Sequence, residues 1–168
     1  PQFLRDLGFD AVITNAYIAL KRHRELAIRR GIHNLIDFDG IVMTDSGGYQ
    51  VLEYGDIEIG PETMAKFQID IKSDLPVMLD RPTGYRLDYE RARDFVEETL
   101  LNARSTANMI KDHLGHRNQI AADEMSDMQR PIWVGTIQGA EHLDLVKHST
   151  EELAKIGFDF FALGSPVE

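Results

Sequence analysis

Cysteine is absent from the 168-residue chain, which excludes disulfides and any thiolate-bound metal within these residues. Absent too is any window approaching the roughly 20 apolar residues that a membrane-spanning helix needs. The opening PQFLRDLGFD lacks the basic-then-apolar order of a signal peptide. The expectation is a soluble, cytoplasmic protein with no membrane partner. Positive charge is scarce: 18 Lys and Arg stand against 28 Asp and Glu, giving a net charge of −10 and a pI near 5.0. That is the opposite of the basic surface that a phosphate backbone attracts. The basic residues that do gather, Lys21, Arg22, Arg24, Arg29 and Arg30, read as a solvated helix face. No internal repeat or low-complexity tract is present. At this length, with 43% hydrophobic residues, the chain supports one core and no second, so it is one domain or a piece of one.

What is present is an alternation of short apolar runs with longer stretches of helical period, the pattern of an α/β protein with a parallel sheet. Strands are expected at residues 11–14, 40–44, 75–79, 131–137 and 158–163. A helix is expected over 17–30, stopped by Gly31, and another opens at Pro61, where the missing N–H costs nothing. Asp88 is placed to cap a long helix reaching about His113, with Arg91, Phe95, Leu100, Ala103 and Ala107 along one face. Residues 114–129 are polar, hold no clear period and read as a surface loop. HLDLVKHSTEELAKIGFD reads as a helix, a glycine stop and the next strand. This inventory fits either a doubly wound sheet or a cut (β/α)₈ barrel of about five of its eight units. The run at 158–163 is of a buried type and no closing helix follows it, so a fragment is expected.

In both parallel architectures the chemistry sits at the carboxyl ends of the strands. Four places qualify: TDSGGYQ from Thr44 to Gln50, DRPTG from Asp80 to Gly84, Gln138 with Gly139, and Gly164 with Ser165. In the first, Asp45, Ser46, Gly47, Gly48 and Tyr49 leave the strand together. Such a run lets backbone N–H groups approach a ligand while a carboxylate points into the pocket. Each place also has a plain structural reading: a tight turn bonded to its own Asp, a cap at Asp80, a satisfied buried amide at Gln138, a steric need at Gly164. Together they offer two carboxylates, an amide, an aromatic ring and bare backbone on one rim, a set compatible with guanine. The base presents N1–H and N2–H₂ as adjacent donors, an O6 acceptor and a flat face.

TDSGGYQ followed by LEYGDIE, then LDRPT, GTIQG, and a helix leading into IGFDFFALGS resemble, in order and spacing, the tRNA-guanine transglycosylase family. ITNAYIALK near the start is similar as well, and the resemblance covers essentially the whole chain. The YGDIE continuation and LDRPT look like the archaeal branch. The resemblance implies a fragment of a (β/α)₈ TIM barrel, about strands two to six. Residues 1–168 would then be the central part of a single catalytic barrel domain. The first strand, the last strands, a zinc subdomain and any C-terminal RNA-binding domain would lie outside it.

The activity implied is exchange of a guanine base in tRNA for 7-cyano-7-deazaguanine, the archaeosine precursor, through a covalent ribosyl enzyme. A carboxylate attacks C1′ while a second acid protonates the leaving base, the two-acid logic of glycoside cleavage. By motif match Asp45 is the acid/base residue, and the nucleophilic Asp falls beyond this chain. Ser46, Gly47 and Gly48 would line the base pocket and Tyr49 would stack on the base. Asp80 would accept from the N1 and N2 edge, Gln138 would contact the other edge, and backbone at Gly164 and Ser165 would close the pocket. Where bacterial members read GGL, this chain has Gly164, Ser165 and Pro166, and Pro166 has no N–H to donate; that departure fits a different 7-substituent, and the resemblance to archaeal members implies the cyano-substituted base. Structural zinc would be held by Cys and His outside these residues, with His113 and His116 poor ligand candidates. The partners implied are tRNA, the free base and a second copy of the full-length protein. Three other readings stand beside this one, the first a queuosine-type substrate preference. A catalytically silent paralogous subunit would bind without turnover, and an unrelated barrel aldolase would need a Schiff-base lysine, whereas Lys72 and Lys155 read as helical.

Overall fold

The computed structural model describes residues 1–48, 59–84, 86–120 and 130–164, with backbone alone for 114–120. Those residues form five strands: β1 (Ala11–Asn15), β2 (Ile41–Asp45), β3 (Leu75–Pro76), β4 (Val134–Ile137) and β5 (Phe160–Leu163). β1, β2 and β3 pair in parallel in that order, as do β4 and β5. A parallel bridge from Val77 to Val134, with Met78 N–H donating to the Val134 carbonyl at 3.0 Å, joins the two sets. Among the described residues the strand order therefore follows the chain order with no reversal, and the class is α/β with parallel strands, as expected.

Among the described residues five helices accompany the strands: α1 (Phe3–Asp6), α2 (Ala16–Ile36), α3 (Pro61–Asp70), α4 (Tyr89–Ile120) and α5 (Leu143–Ile156). α2 packs on α3, α3 on α4 and α4 on α5, again in chain order. Two apolar clusters fill the space between helices and sheet. Ala16, Ala27, Ile32, Val42, Met64 and Phe67 belong to the first, and Met78, Val96, Leu100, Trp133 and Leu153 to the second.

Local signals explain the helix ends. Asn15 caps α2, its side-chain oxygen accepting from Ile18 N–H at 2.9 Å, and Asp88 caps α4 by accepting from Arg91 N–H at 3.1 Å. Pro61 occupies the first turn of α3, and Gly157 closes α5 with φ 91°, a left-handed turn that suits glycine. Gly31 does break α2, at φ 75°, but one more turn follows to Ile36. The five basic residues of α2 all face solvent.

Four expectations are corrected. α4 runs through Ile120, so 114–120 is helix rather than loop, while 121–129 lies outside the described residues. The buried stripe of α4 is Ala92, Val96, Thr99, Leu100, Ala103 and Thr106. Leu100 and Ala103 are buried as expected, whereas Arg91 is exposed and Phe95 and Ala107 are half-buried. The ladders at β3, β4 and β5 are shorter than the apolar runs. Pro76 and Pro131 carry no amide hydrogen. Ahead of β5, the Asp159 carboxylate accepts from Trp133 N–H at 3.0 Å. Lys72 sits not in a helix but in the turn after α3, at φ 59°; Lys155 is within α5.

Candidate active site at the strand carboxyl ends

Parallel strands in chain order deliver the ends of β2, β3, β4 and β5 to the same edge, and the polar residues that follow them meet there. Asp45 ends β2. Asn15, its register partner at the end of β1, donates from Nδ2 to Asp45 Oδ2 at 3.0 Å. Because Asn15 Oδ1 is already committed to capping α2, its amide nitrogen is the group left facing the carboxylate. Burial pushes the Asp45 carboxyl above its ordinary value, opposed by the N–H groups of Gly47 and Ser46. Ser46, fully buried, donates to the Met78 carbonyl at 2.9 Å and ties the β2 end to the segment after β3. Beneath it a buried polar brace joins β2 and the segment after β3 to α3. Thr44 Oγ1 donates to Gln68 Oε1 at 2.7 Å and Gln68 Nε2 donates to the Val77 carbonyl at 3.0 Å.

Asp80 and Gln138, 8% and 3% exposed, form the centre of the rim. Gln138 Nε2 donates to Asp80 Oδ2 at 2.6 Å. Burial lifts the Asp80 carboxyl to about 6, and the negative charge of Asp45 adds to the rise, while the Gln138 hydrogen bond works against it. The backbone after Asp80 is held by Thr99 of α4, whose hydroxyl accepts from Arg81 N–H at 2.9 Å. Gln138 Oε1 takes two hydrogen bonds from Thr83, from N–H at 3.2 Å and from the hydroxyl at 3.0 Å.

Two glycines stand directly against the Asp80 and Gln138 side chains. A Cβ on Gly48 would collide with Asp80 Oδ1, and one on Gly164 would collide with the Gln138 amide. Gly164 N–H is taken by the Ile137 carbonyl at 2.7 Å, so what this residue offers the rim is its bareness. Gly47, at φ 96°, turns the chain at the end of β2. Asp45, Ser46, Gly47, Gly48, Asp80, Gln138 and Gly164 are thus gathered at one edge. Tyr49 and Ser165 lie outside the described residues.

The family model described as queuine tRNA-ribosyltransferase (TGT) matches residues 1–168. The chain belongs to this family. Its relatives include proteins named tRNA-guanine(15) transglycosylase. One from Saccharolobus solfataricus is 41% identical over 97% of this chain and 30% of that protein. Others are from Methanocaldococcus jannaschii, 39% identical over 94% and 22%, and Korarchaeum cryptofilum, 36% identical over 98% and 26%. This TGT chain spans between about a fifth and a third of the length of the curated relatives it matches.

Two TGT site neighbours were not singled out as site residues in the sequence. Asn15 and Thr83 stand within ITNAYIALK and LDRPT, but nothing local marks a cap that also faces an acid, or a threonine that grips an amide 55 residues away. The chain has no cysteine, and no cluster of three or more His, Asp or Glu that could hold a metal ion gathers among the described residues. No helix of the described residues is long and apolar enough to cross a membrane.

Proposed function

We propose that this TGT chain is the base-binding centre of a tRNA-guanine transglycosylase that exchanges guanine in tRNA for 7-cyano-7-deazaguanine. The observation that carries the reading is the convergence of Asp45, Asp80 and Gln138 from the ends of three consecutive parallel strands. In this account Asp80 accepts from the N1–H and N2–H₂ edge of the base and Gln138 Nε2 donates to O6. Asp45, held above the ordinary carboxylate range by burial, gives its proton to the leaving guanine as the C1′–N9 bond breaks, and takes one back from the incoming base. The carboxylate that forms the ribosyl ester belongs to the remainder of the full-length protein. So would a structural zinc site, and the homodimer and most of the tRNA surface would be built there too, given the acidity of this part.

A (β/α)₈ barrel is the architecture we assign. Strands and helices both succeed one another in chain order, whereas a doubly wound sheet reverses at a switch point. Ile13 on β1 and Leu163 on β5, 64% and 76% exposed, suit outer strands that further barrel strands would cover. The archaeal names of the relatives support the cyano-substituted base.

The test is exchange of radiolabelled guanine into unmodified tRNA by the full-length protein, with Asp45→Ala and Asp80→Ala beside the wild type and 7-cyano-7-deazaguanine as competitor. Exchange by the wild type, failure of both variants and competition by the cyano compound are expected. A folded wild type that never exchanges would make a silent binding subunit the better account. The 168-residue piece, holding one acid of the pair, is expected not to turn over.

A further inference from the structure

The amide of Gln138 has two possible orientations, and the direction of every hydrogen bond around it depends on which one is taken. Thr83 decides the matter through groups whose roles are not interchangeable. Its hydroxyl oxygen receives Ala140 N–H at 2.9 Å and Gly139 N–H at 3.5 Å, and backbone N–H groups only donate. The single hydroxyl hydrogen is left to point at Gln138, where it meets Oε1 at 3.0 Å. Thr83 N–H, another obligate donor, meets the same Oε1 at 3.2 Å. A flipped amide would set its NH₂ against two donors and its carbonyl against the Asp80 carboxylate, 2.6 Å away. With Thr83 3% exposed, water cannot soften either conflict. Ala140 presents its N–H from φ 51°, a left-handed conformation that a non-glycine residue adopts at a cost. The chain holds that conformation where it feeds the Thr83 hydroxyl.

Resting on the function proposed above, we infer that Thr83 is a positioning residue that sets the polarity of the base-binding edge. By holding Gln138 with Oε1 inward and Nε2 outward, it makes the rim select a lactam-edged purine over an amino-edged one. The rim then reads acceptor at Asp80 and donor at Gln138, the complement of N1–H and C6=O. An adenine-type edge, with an acceptor at N1 and an amine at C6, meets the wrong group at both positions. Thr83 touches no base atom in this scheme and acts only through Gln138.

The test uses the full-length protein and two probes differing only at that edge, 7-deazaguanine and 2,6-diamino-7-deazapurine. Binding is measured by calorimetry, with guanine exchange as the second readout. Thr83→Val keeps shape and backbone N–H but removes the hydroxyl. It is expected to weaken 7-deazaguanine roughly 10- to 30-fold and to raise KM for the free base more than it lowers kcat. KM for tRNA should stay unchanged and the diamino probe should gain relative affinity. Thr83→Ser should restore affinity to within roughly threefold. In a Gln138→Ala background the Thr83→Val loss should vanish, because the two residues act as one unit. Thr83→Cys takes the same readings if the valine variant does not fold. A valine variant with lower thermal stability but unchanged preference between the probes would overturn the inference, as would an equal loss with and without Gln138. A wild type that binds neither probe would overturn the function proposal and this inference with it, and a wild type that discriminates while Thr83→Val does so equally would overturn this inference alone.

Discussion

Asp80→Asn should make the fold more stable at neutral pH while removing base binding. The Asp80 carboxyl moves from 3.8 to about 6, chiefly through burial. At 1.36 kcal/mol per unit, this means that the ionised group costs the folded state about 3 kcal/mol. The sign follows from the direction. A carboxyl raised in the folded state is protonated there while still ionised in the unfolded chain, so between about 4 and 6 folding takes up a proton. The penalty is absent below the unfolded value, grows through that window and is complete above about 6. Asparagine has nearly the same shape, its oxygen can still accept from Gln138 Nε2, and it carries no charge toward Asp45. Urea unfolding of wild type and variant at pH 8 and pH 4 isolates Asp80 and its coupling to Asp45, since titrating groups that do not interact with Asp80 cancel in the difference. The expected stabilisation is about 1 to 3 kcal/mol at pH 8, less any residual cost of burying the amide, and near zero at pH 4. An Asn variant less stable than wild type at pH 8, or a difference that does not change with pH, would refute the reasoning. The same substitution should abolish guanine exchange, as expected where a functional carboxylate is kept at a cost in stability.

Three further outcomes follow from the same geometry. Asn15→Asp retains an N-cap of equal quality for α2 but replaces the hydrogen bond to Asp45 Oδ2 with a second carboxylate, so the Asp45 carboxyl should rise further and stability at neutral pH should fall with it. A pH profile of kcat/KM displaced to higher pH checks this, and an unmoved profile would count against contact between the two residues. Gly48→Ala forces a methyl group onto Asp80 Oδ1; KM for the free base should rise at least roughly tenfold, a loss of about 1.4 kcal/mol in binding, with a native circular dichroism spectrum. Leu153→Ala, at a fully buried position in α5, should cost roughly 2 to 5 kcal/mol by opening a cavity while leaving the kinetics of the surviving folded protein near wild type.

Much of the architecture is legible before any coordinates because its signals are local. Pro61, Asp88 and Gly157 act on N–H and carbonyl groups within a few residues of themselves, so their meaning does not depend on the rest of the chain. The apolar runs mark strands, and polar residues after them mark the carboxyl edge of a parallel sheet, which is why Asp45, Asp80, Gln138 and Gly164 stand out as candidates from order alone. Boundaries fared less well, since a run of apolar residues records burial whereas a strand needs a partner for each N–H. Residues 77–79 are buried like strand residues, yet the regular ladder of β3 stops at Pro76. The long helix shows the same limit. Its period is clear, but whether Phe95 or Val96 is buried depends on how the helix meets the cluster that also holds Trp133 and Leu153, which spacing along the helix does not record.

The sequence by itself determined the class, the alternation of strands and helices, the caps and the candidate acids, because each depends on side-chain chemistry or spacing within one element. The tertiary structure alone decided which groups touch. Thr83 reaches Gln138 across 55 residues, Gln138 reaches Asp80 across 58, and Asn15 reaches Asp45 across 30. These contacts exist because parallel register brings strand ends level, and because burial leaves each polar atom there no partner but its neighbours. The raised carboxyls of Asp45 and Asp80 have the same origin: a carboxylate's spacing along the chain says nothing of the water it loses when four strand ends close around it.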